Sequence, residues 1–293
     1  MATAISAAQV KQLRDQTGAG MMECKNALTE ANGDFEQANT ILRKRGLASA
    51  AKKAGRTANE GLIANKVADD HSWGILAEVN CESDFVARTP DFVQLMDNVL
   101  TEIARAGDGA NEAWLKDPQG PVIKHVAPVI AKLGENMGVP RLVRYAGGGY
   151  VGQYIHLGGK IAAMIELAGV TPAVSSHPDF AALVKEIAMQ IAAASPSYAT
   201  REEVPADLLE KEKAIYRAQM ENSGKPANVL EKIIEGKLGS FYKQTVLTDQ
   251  DSIRDTTGKT SVKDVLAAAN KSLGASIAVT RFARLKVGEA AAQ

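Results

Sequence analysis

An acidic residue and a large aromatic stand side by side within Asn80-Cys81-Glu82-Ser83-Asp84-Phe85-Val86-Ala87-Arg88, and the pair has the makings of a contact device. A carboxylate on an outward corner repels or displaces an anionic or metal-bound group, while an adjacent ring inserts into an apolar partner. A corner is expected here because Trp73 to Val79 reads as a half-buried strand and Pro90 suits the first turn of a helix. Ser83, Asp84, Phe85 and Val86 then fall between the two. The same residues also admit a local role, with Asp84 capping a turn and Phe85 packing nearby.

Enzymatic chemistry has no comparable constellation. The four histidines, His71, His125, His156 and His177, are scattered without a paired acidic or cysteine motif, so structural roles outweigh metal ligation. Gly147, Gly149 and Gly152 have the spacing of a dinucleotide fingerprint. The residues that follow, Gln153 to Leu157, read as strand rather than the helix whose N-terminus would hold a pyrophosphate. Gly258-Lys259-Thr260 has the look of the end of a phosphate loop, but Ile253 stands where the first glycine belongs. No catalytic residue, cofactor, metal or directly bound nucleotide is expected.

The elements that position the corner follow from periodicity. Ser6 with Gln9 fits a capping box and Ile5 with Val10 a hydrophobic staple, so a first helix begins near Ala7. A second carries Met21, Cys24 and Leu28, Gly33 follows its end, and Asp34 caps a third with Phe35, Ala38, Ile41 and Leu42 before Gly46. From Arg43 to Arg56 come six basic residues and no acidic one, read as a solvated linker helix.

Beyond it the chain repeats loosely at an offset of 88 positions: Gly61 with Gly149, Trp73 with Ile161, Glu78 with Glu166, and Pro90-Asp91-Phe92 with Pro178-Asp179-Phe180. The first unit reads as strands from Leu62 and Trp73, helices Pro90 to Ala106 and Val122 to Glu135, and strand Val139 to Tyr145. The second reads as strands Tyr150 to Leu157 and Ile161 to Ala168, helices Pro178 to Ala194 and Val262 to Ser272, and strand Ser276 to Val287. Each is ββααβ, which implies an α+β fold with a duplicated core of small antiparallel sheets. Asp84 and Phe85 correspond to Pro172 and Ala173 in the second unit, so the shared fold does not demand them. Thr200 to Val246 interrupts the second unit with two amphipathic helices around Ser223-Gly224-Lys225-Pro226, an inserted antiparallel helical (coiled-coil) hairpin. The expected division is 1–57 for the three-helix domain and basic linker, 58–146 for the first core subdomain, 147–198 with 248–288 for the second, 199–247 for the hairpin, and 289–293 as a tail.

Composition narrows the partner class. With 34 basic and 34 acidic residues the chain lacks the excess of a general polyanion binder, and 45% hydrophobic residues supply a sizeable core. Cys24 and Cys81 are distant in sequence and lack metal spacing, which favours reduced thiols. No stretch approaches the roughly 20 apolar residues needed to cross a bilayer. Met1 to Asp15 has no apolar signal core, so a cytoplasmic protein is expected.

Thr17-Gly18-Ala19-Gly20-Met21-Met22-Glu23-Cys24-Lys25, Leu28-Thr29-Glu30-Ala31-Asn32-Gly33-Asp34 and the Glu-Ser-Asp-Phe-Val corner together resemble the bacterial elongation factor Ts family. The likeness runs from about Ile5 to Val287, with Ser83 where the family usually has Thr. It implies an N-terminal ubiquitin-associated-like domain and a non-enzymatic guanine-nucleotide exchange factor for elongation factor Tu, in its GDP-bound and nucleotide-free forms. It also implies that Ser83, Asp84, Phe85 and Val86 enter the partner near its magnesium site. Met21 and Met22 are further contact candidates or, equally, parts of the small helical core, and His156 has a partner-facing counterpart in the family. The hairpin is implied as a dimerisation or partner-contact element. Many relatives continue beyond the final strand into another helical module, which is not expected here because the sequence reaches Gln293 shortly after Val287-Gly288. Two other readings remain at this stage: a ribosome- or RNA-associated module using Arg43 to Arg56, and a scaffold using the three-helix domain alone.

Overall fold

Capping residues set the first helices in the computed structural model, which describes residues 5–220 and 226–289. Helix α1 (Ala7–Thr17) opens on the Ser6 and Gln9 capping box, and α2 (Met21–Glu30) follows the Gly18 to Gly20 turn. Helix α3 (Phe35–Lys53) begins where the Gln37 N–H donates to the Asp34 carboxylate at 3.0 Å. Leu13, Cys24, Ala27, Leu28 and Ala38 are fully buried among these helices. Helix α3 continues through Gly46 into the segment read as a separate linker helix. Gly46 faces a neighbouring helix, where an added Cβ would make ordinary contact, 3.5 Å from the backbone of Ala127. Leu47 and Ala50 pack into the first core, so the segment read as a solvated linker buries one face while Arg43, Lys44, Arg45, Lys52 and Arg56 stay exposed.

Strands β1 (Glu60–Val67) and β2 (Trp73–Cys81) pair antiparallel with Glu60 opposite Cys81. The one-turn helix α4 (Asp84–Ala87) follows, then α5 (Pro90–Ala106), the short α6 (Glu112–Lys116), α7 (Pro121–Leu133) and β3 (Gly138–Ala146). The sheet order is β1-β2-β3. Phe92, Leu95, Val99 and Ile103 recur at helical spacing on α5 and meet Val122, Val126 and Ile130 of α7 over one sheet face. The second half opens with β4 (Tyr150–His156) and β5 (Ile161–Ala168), followed by the one-turn α8 (Pro172–Ser175) and α9 (Pro178–Ala194). After the hairpin helices α10 (Ala206–Met220) and α11 (Ala227–Thr245), the chain returns through α12 (Val262–Leu273) to β6 (Ala278–Lys286). The second sheet has the order β4-β5-β6.

Strand alternation assigns each sheet two buried faces. Ile75 and Ala77 turn towards the helices of the first half, whereas Ile63 and Leu76 meet Val151, Ala162, Met164 and Leu285 of the second sheet. The sheets therefore lie back to back with helices outside. Gly74 permits the approach, since a Cβ there would fall 2.7 Å from Val151 Cγ1 and 2.9 Å from Met164 Sδ. Among the described residues no helix is long and apolar enough to cross a membrane.

The hairpin leaves the core later than the sequence suggests. Tyr198 N–H donates to Thr245 O at 3.0 Å and Leu247 N–H to Tyr198 O at 2.8 Å, while Val246 and Leu247 are fully buried. Ser223-Gly224-Lys225 and tail residues 290–293 lie outside the described residues. Residues 206–244 are therefore the segment that can be exchanged for a short glycine-containing turn. Such a chain is expected to unfold cooperatively in urea, because α10 has no buried side chain and the buried Ile234 and Leu238 of α11 belong to neither core cluster. A broad, non-cooperative transition would instead make the hairpin part of the core.

Candidate functional site

The corner after β2 is held by one carboxylate that sequence reasoning missed. Helix α7 stops at Gly134, whose φ of 82° is natural for glycine, and so releases Glu135 from the helix that was expected to contain it. Glu135 then accepts from Glu82 N–H (3.1 Å), Ser83 N–H (3.0 Å) and the Ser83 hydroxyl (2.6 Å). The Asn136 N–H donates back to Glu82 at 2.6 Å, and its side-chain amide donates to Arg56 O at 2.7 Å. Five backbone or side-chain groups are thus fixed by chain segments far apart in sequence.

Ser83, rather than Asp84, caps the single turn of α4: its Oγ accepts from Val86 N–H at 3.4 Å. The turn separates its side chains. Ala87 is buried and Val86 packs against the first core, whereas Phe85 is 80% exposed, the most exposed of the large apolar side chains described. That exposure overturns the local-packing alternative for Phe85. Asp84 pairs with Arg88 one turn later at 2.8 Å, an exposed contact that a competing cation or polar partner can exchange at little cost.

Cys81 sits behind the corner with its Sγ donating to Ser83 O at 3.1 Å. Burial first, then the nearby Glu135 charge, pushes its thiol up to about 11 from 9.0. Native protein at pH 8 is therefore expected to resist alkylation at Cys81, with rapid modification after denaturation. The sign for stability follows. Whatever Cys81 contributes is intact below pH 9.0 and is lost as pH rises towards about 11, because the unfolded thiol ionises first. Rapid native labelling at pH 8 would contradict the buried placement. Both cysteines are free and buried.

The other candidates are separated by role. Met21 and Met22 at the start of α2 are 57% and 62% exposed, so neither completes the helical core. His156 is exposed at the end of β4, with Nδ1 3.0 Å from the Tyr154 hydroxyl. The next residue, Leu157, was not singled out from the sequence. It is 67% exposed with φ of 50°, a left-handed conformation that costs a non-glycine residue about 1–2 kcal/mol. The remaining histidines have contacts within the chain: His71 stacks on Tyr150 at 4.1 Å, His125 lies 3.1 Å from Glu102, and His177 accepts from Asp179 N–H.

The glycine motifs resolve into turns. Gly147 to Gly149 join β3 to β4, and a Cβ at Gly148 would meet the Glu166 carboxylate at 2.9 Å. In the loop before α12, Asp255 accepts from Thr257, Lys259 and Thr260 N–H groups, so a carboxylate of the chain occupies the amides that a phosphate would use. These hydrogen bonds, with that from the Thr257 hydroxyl foremost, hold the Asp255 carboxyl far below the usual range.

A cavity of about 690 Å³ opens between α3, α7 and β3. Its wall includes Asn80, whose Oδ1 lacks a hydrogen-bond partner but is itself shut off from solvent, so the cavity offers a ligand no reachable unpaired acceptor there. It is the apolar seam along which α3 lies on the core.

Fold and site together define an α+β protein that presents apolar side chains on rigid turns. The family model for elongation factor TS matches residues 82–289. The chain is 44% identical over 292 residues to elongation factor Ts of Trichlorobacter lovleyi, covering 98% of this chain and 93% of that protein. It is 45% identical over 291 residues to elongation factor Ts of a Nitratiruptor species, covering 98% and 94%. For elongation factor Ts of Clostridium perfringens the identity is 43% over 289 residues, covering 97% and 93%. The chain belongs to the elongation factor Ts family of translation elongation factors.

Proposed function

We propose that the chain is a guanine-nucleotide exchange factor, not an enzyme, that binds elongation factor Tu carrying GDP in the cytoplasm and speeds release of the nucleotide. The observation that carries this reading is the pinned corner, which holds Phe85 outward and leaves Asp84 beside it in a weak, exposed ion pair. Phe85 wedges between elements of the partner's nucleotide-binding domain, and Asp84 disturbs the polar network around its magnesium. With magnesium displaced, the phosphates are less neutralised and GDP loosens. Coupling free energies are reciprocal, so a factor that weakens GDP binding is itself held less tightly when GDP is present. The ternary complex is short-lived for that reason.

The other parts serve this contact. The three N-terminal helices act as a ubiquitin-associated-like docking module with Met21 and Met22 as apolar contacts. The two sheets with their helices form a duplicated core, each half repeating ββααβ. The hairpin carries exposed Ile215 and Val229, which a second copy of the chain would cover. An RNA-binding role for Arg43 to Arg56 has less support, because Arg45 pairs with Glu30 and Arg56 with Glu82. The test is to mix the protein with elongation factor Tu carrying fluorescent GDP and follow loss of nucleotide. Acceleration supports exchange; an unchanged rate at saturating concentration overturns it.

A further inference from the structure

Leu157 is placed where its own fold gains nothing from a leucine. It begins a left-handed turn, with φ of 50° followed by 63° at Gly158 and 99° at Gly159. Glycine takes such backbone without strain, whereas a branched apolar side chain resists it. Burial does not compensate, since the side chain is 67% exposed. The hydrogen bond it makes inside the turn, from Lys160 N–H to Leu157 O at 3.4 Å, uses only backbone and is open to any residue.

The turn is nevertheless fixed firmly. Gly159 lies against Leu62 of β1, where a Cβ would be 3.4 Å from Leu62 Cδ2. Lys160 Nζ reaches the Glu60 carboxylate at 2.5 Å, and Val287 N–H donates to Lys160 O at 3.0 Å. Glu60 stands opposite Cys81, the last residue of β2 before the Asp84-Phe85 corner. Two exposed apolar side chains, Phe85 and Leu157, are therefore carried on rigid turns anchored at the same end of the first sheet. Strain that the fold does not repay, beside an exposed apolar group, is the pattern of a contact whose other half is another molecule.

We propose that Leu157 is a second apolar anchor for the partner that receives Phe85, entering an apolar depression with His156 hydrogen-bonding at its rim. This rests on the exchange-factor reading above. The experiment uses Leu157→Gly in the full chain, with Leu157→Ala alongside, measuring association with elongation factor Tu carrying GDP, thermal unfolding and self-association by sedimentation. Glycine relieves the backbone strain while deleting the side chain, so a structural and a contact role move in opposite directions. The expected result is about tenfold weaker association for Leu157→Gly with an unfolding midpoint equal to or above that of the unaltered protein. Leu157→Ala, which keeps the strain, should weaken association to a similar extent. Full-strength association of folded Leu157→Gly, while the unaltered chain binds, overturns the inference alone. A change confined to self-association also overturns it, by assigning the contact to a second copy. Failure of the unaltered chain to bind removes the exchange-factor reading and this inference with it.

Discussion

Phe85→Ala is expected to reduce GDP release from elongation factor Tu by roughly thirty- to several-hundred-fold, corresponding to about 2–4 kcal/mol lost at an interface hot spot. The fold should be untouched, because the ring is 80% exposed and the neighbouring anchors Val86 and Ala87 remain in place. Asp84→Ala is expected to be milder and to depend on magnesium, since its proposed role is to perturb a metal site rather than fill a pocket. Stopped-flow release of labelled GDP across a magnesium series, with thermal unfolding of each variant, separates the two. Near-normal release by folded Phe85→Ala protein would remove the ring from the mechanism.

The rigidity of the corner decides whether an exposed phenylalanine becomes a wedge or merely a mobile side chain. Three hydrogen bonds converge on Glu135, and Glu82 accepts from the residue next to it. Ordering is thus completed before any partner arrives, which lowers the entropy cost of association.

Local signals in the sequence placed much of the scaffold. Pro90 and Pro178 at first helical turns gave α5 and α9 their observed bounds, and the near-continuous apolar run from Ile161 to Ala168 gave β5. Failures came where a distant segment decided the outcome. Arg43 to Arg56 reads as a solvated linker, but α3 continues through it because Leu47 and Ala50 pack on the first core. Glu135 reads as the end of a helix, although Gly134 just before it carries the stop signal that frees the carboxylate for the corner. The solvent-facing position of Phe85 needed the observed turn of α4, since four residues are too few to show periodicity. Leu157 left no signal at all, because a positive φ at a leucine is imposed by the turn and not by its side chain.

Glu78→Ala is the substitution expected to cost the fold most. The Glu78 carboxylate is almost wholly buried on the central strand β2, accepting from Arg141 Nε at 2.6 Å and from Gly288 N–H at 2.9 Å. The Arg141 side chain is only 15% exposed and also donates to Lys286 O, so removing Glu78 strands a guanidinium with little access to water. Breaking one side of such a pair costs about 3–5 kcal/mol. The position 88 residues later provides the control. Glu166 pairs with Arg281 in the second sheet, but that arginine is 45% exposed and lies 4.2 Å from the Tyr145 ring centroid, so water and the ring can take over part of its solvation. Glu166→Ala should therefore destabilise less than Glu78→Ala, although the two carboxylates are almost equally buried. Replacing both members of the first pair by apolar residues, Glu78→Leu with Arg141→Met, should recover most of the loss because no unpaired charge remains. Urea unfolding of the three variants gives the ordering. Equal losses from the two single substitutions would show that desolvation of the arginine is not what sets the cost.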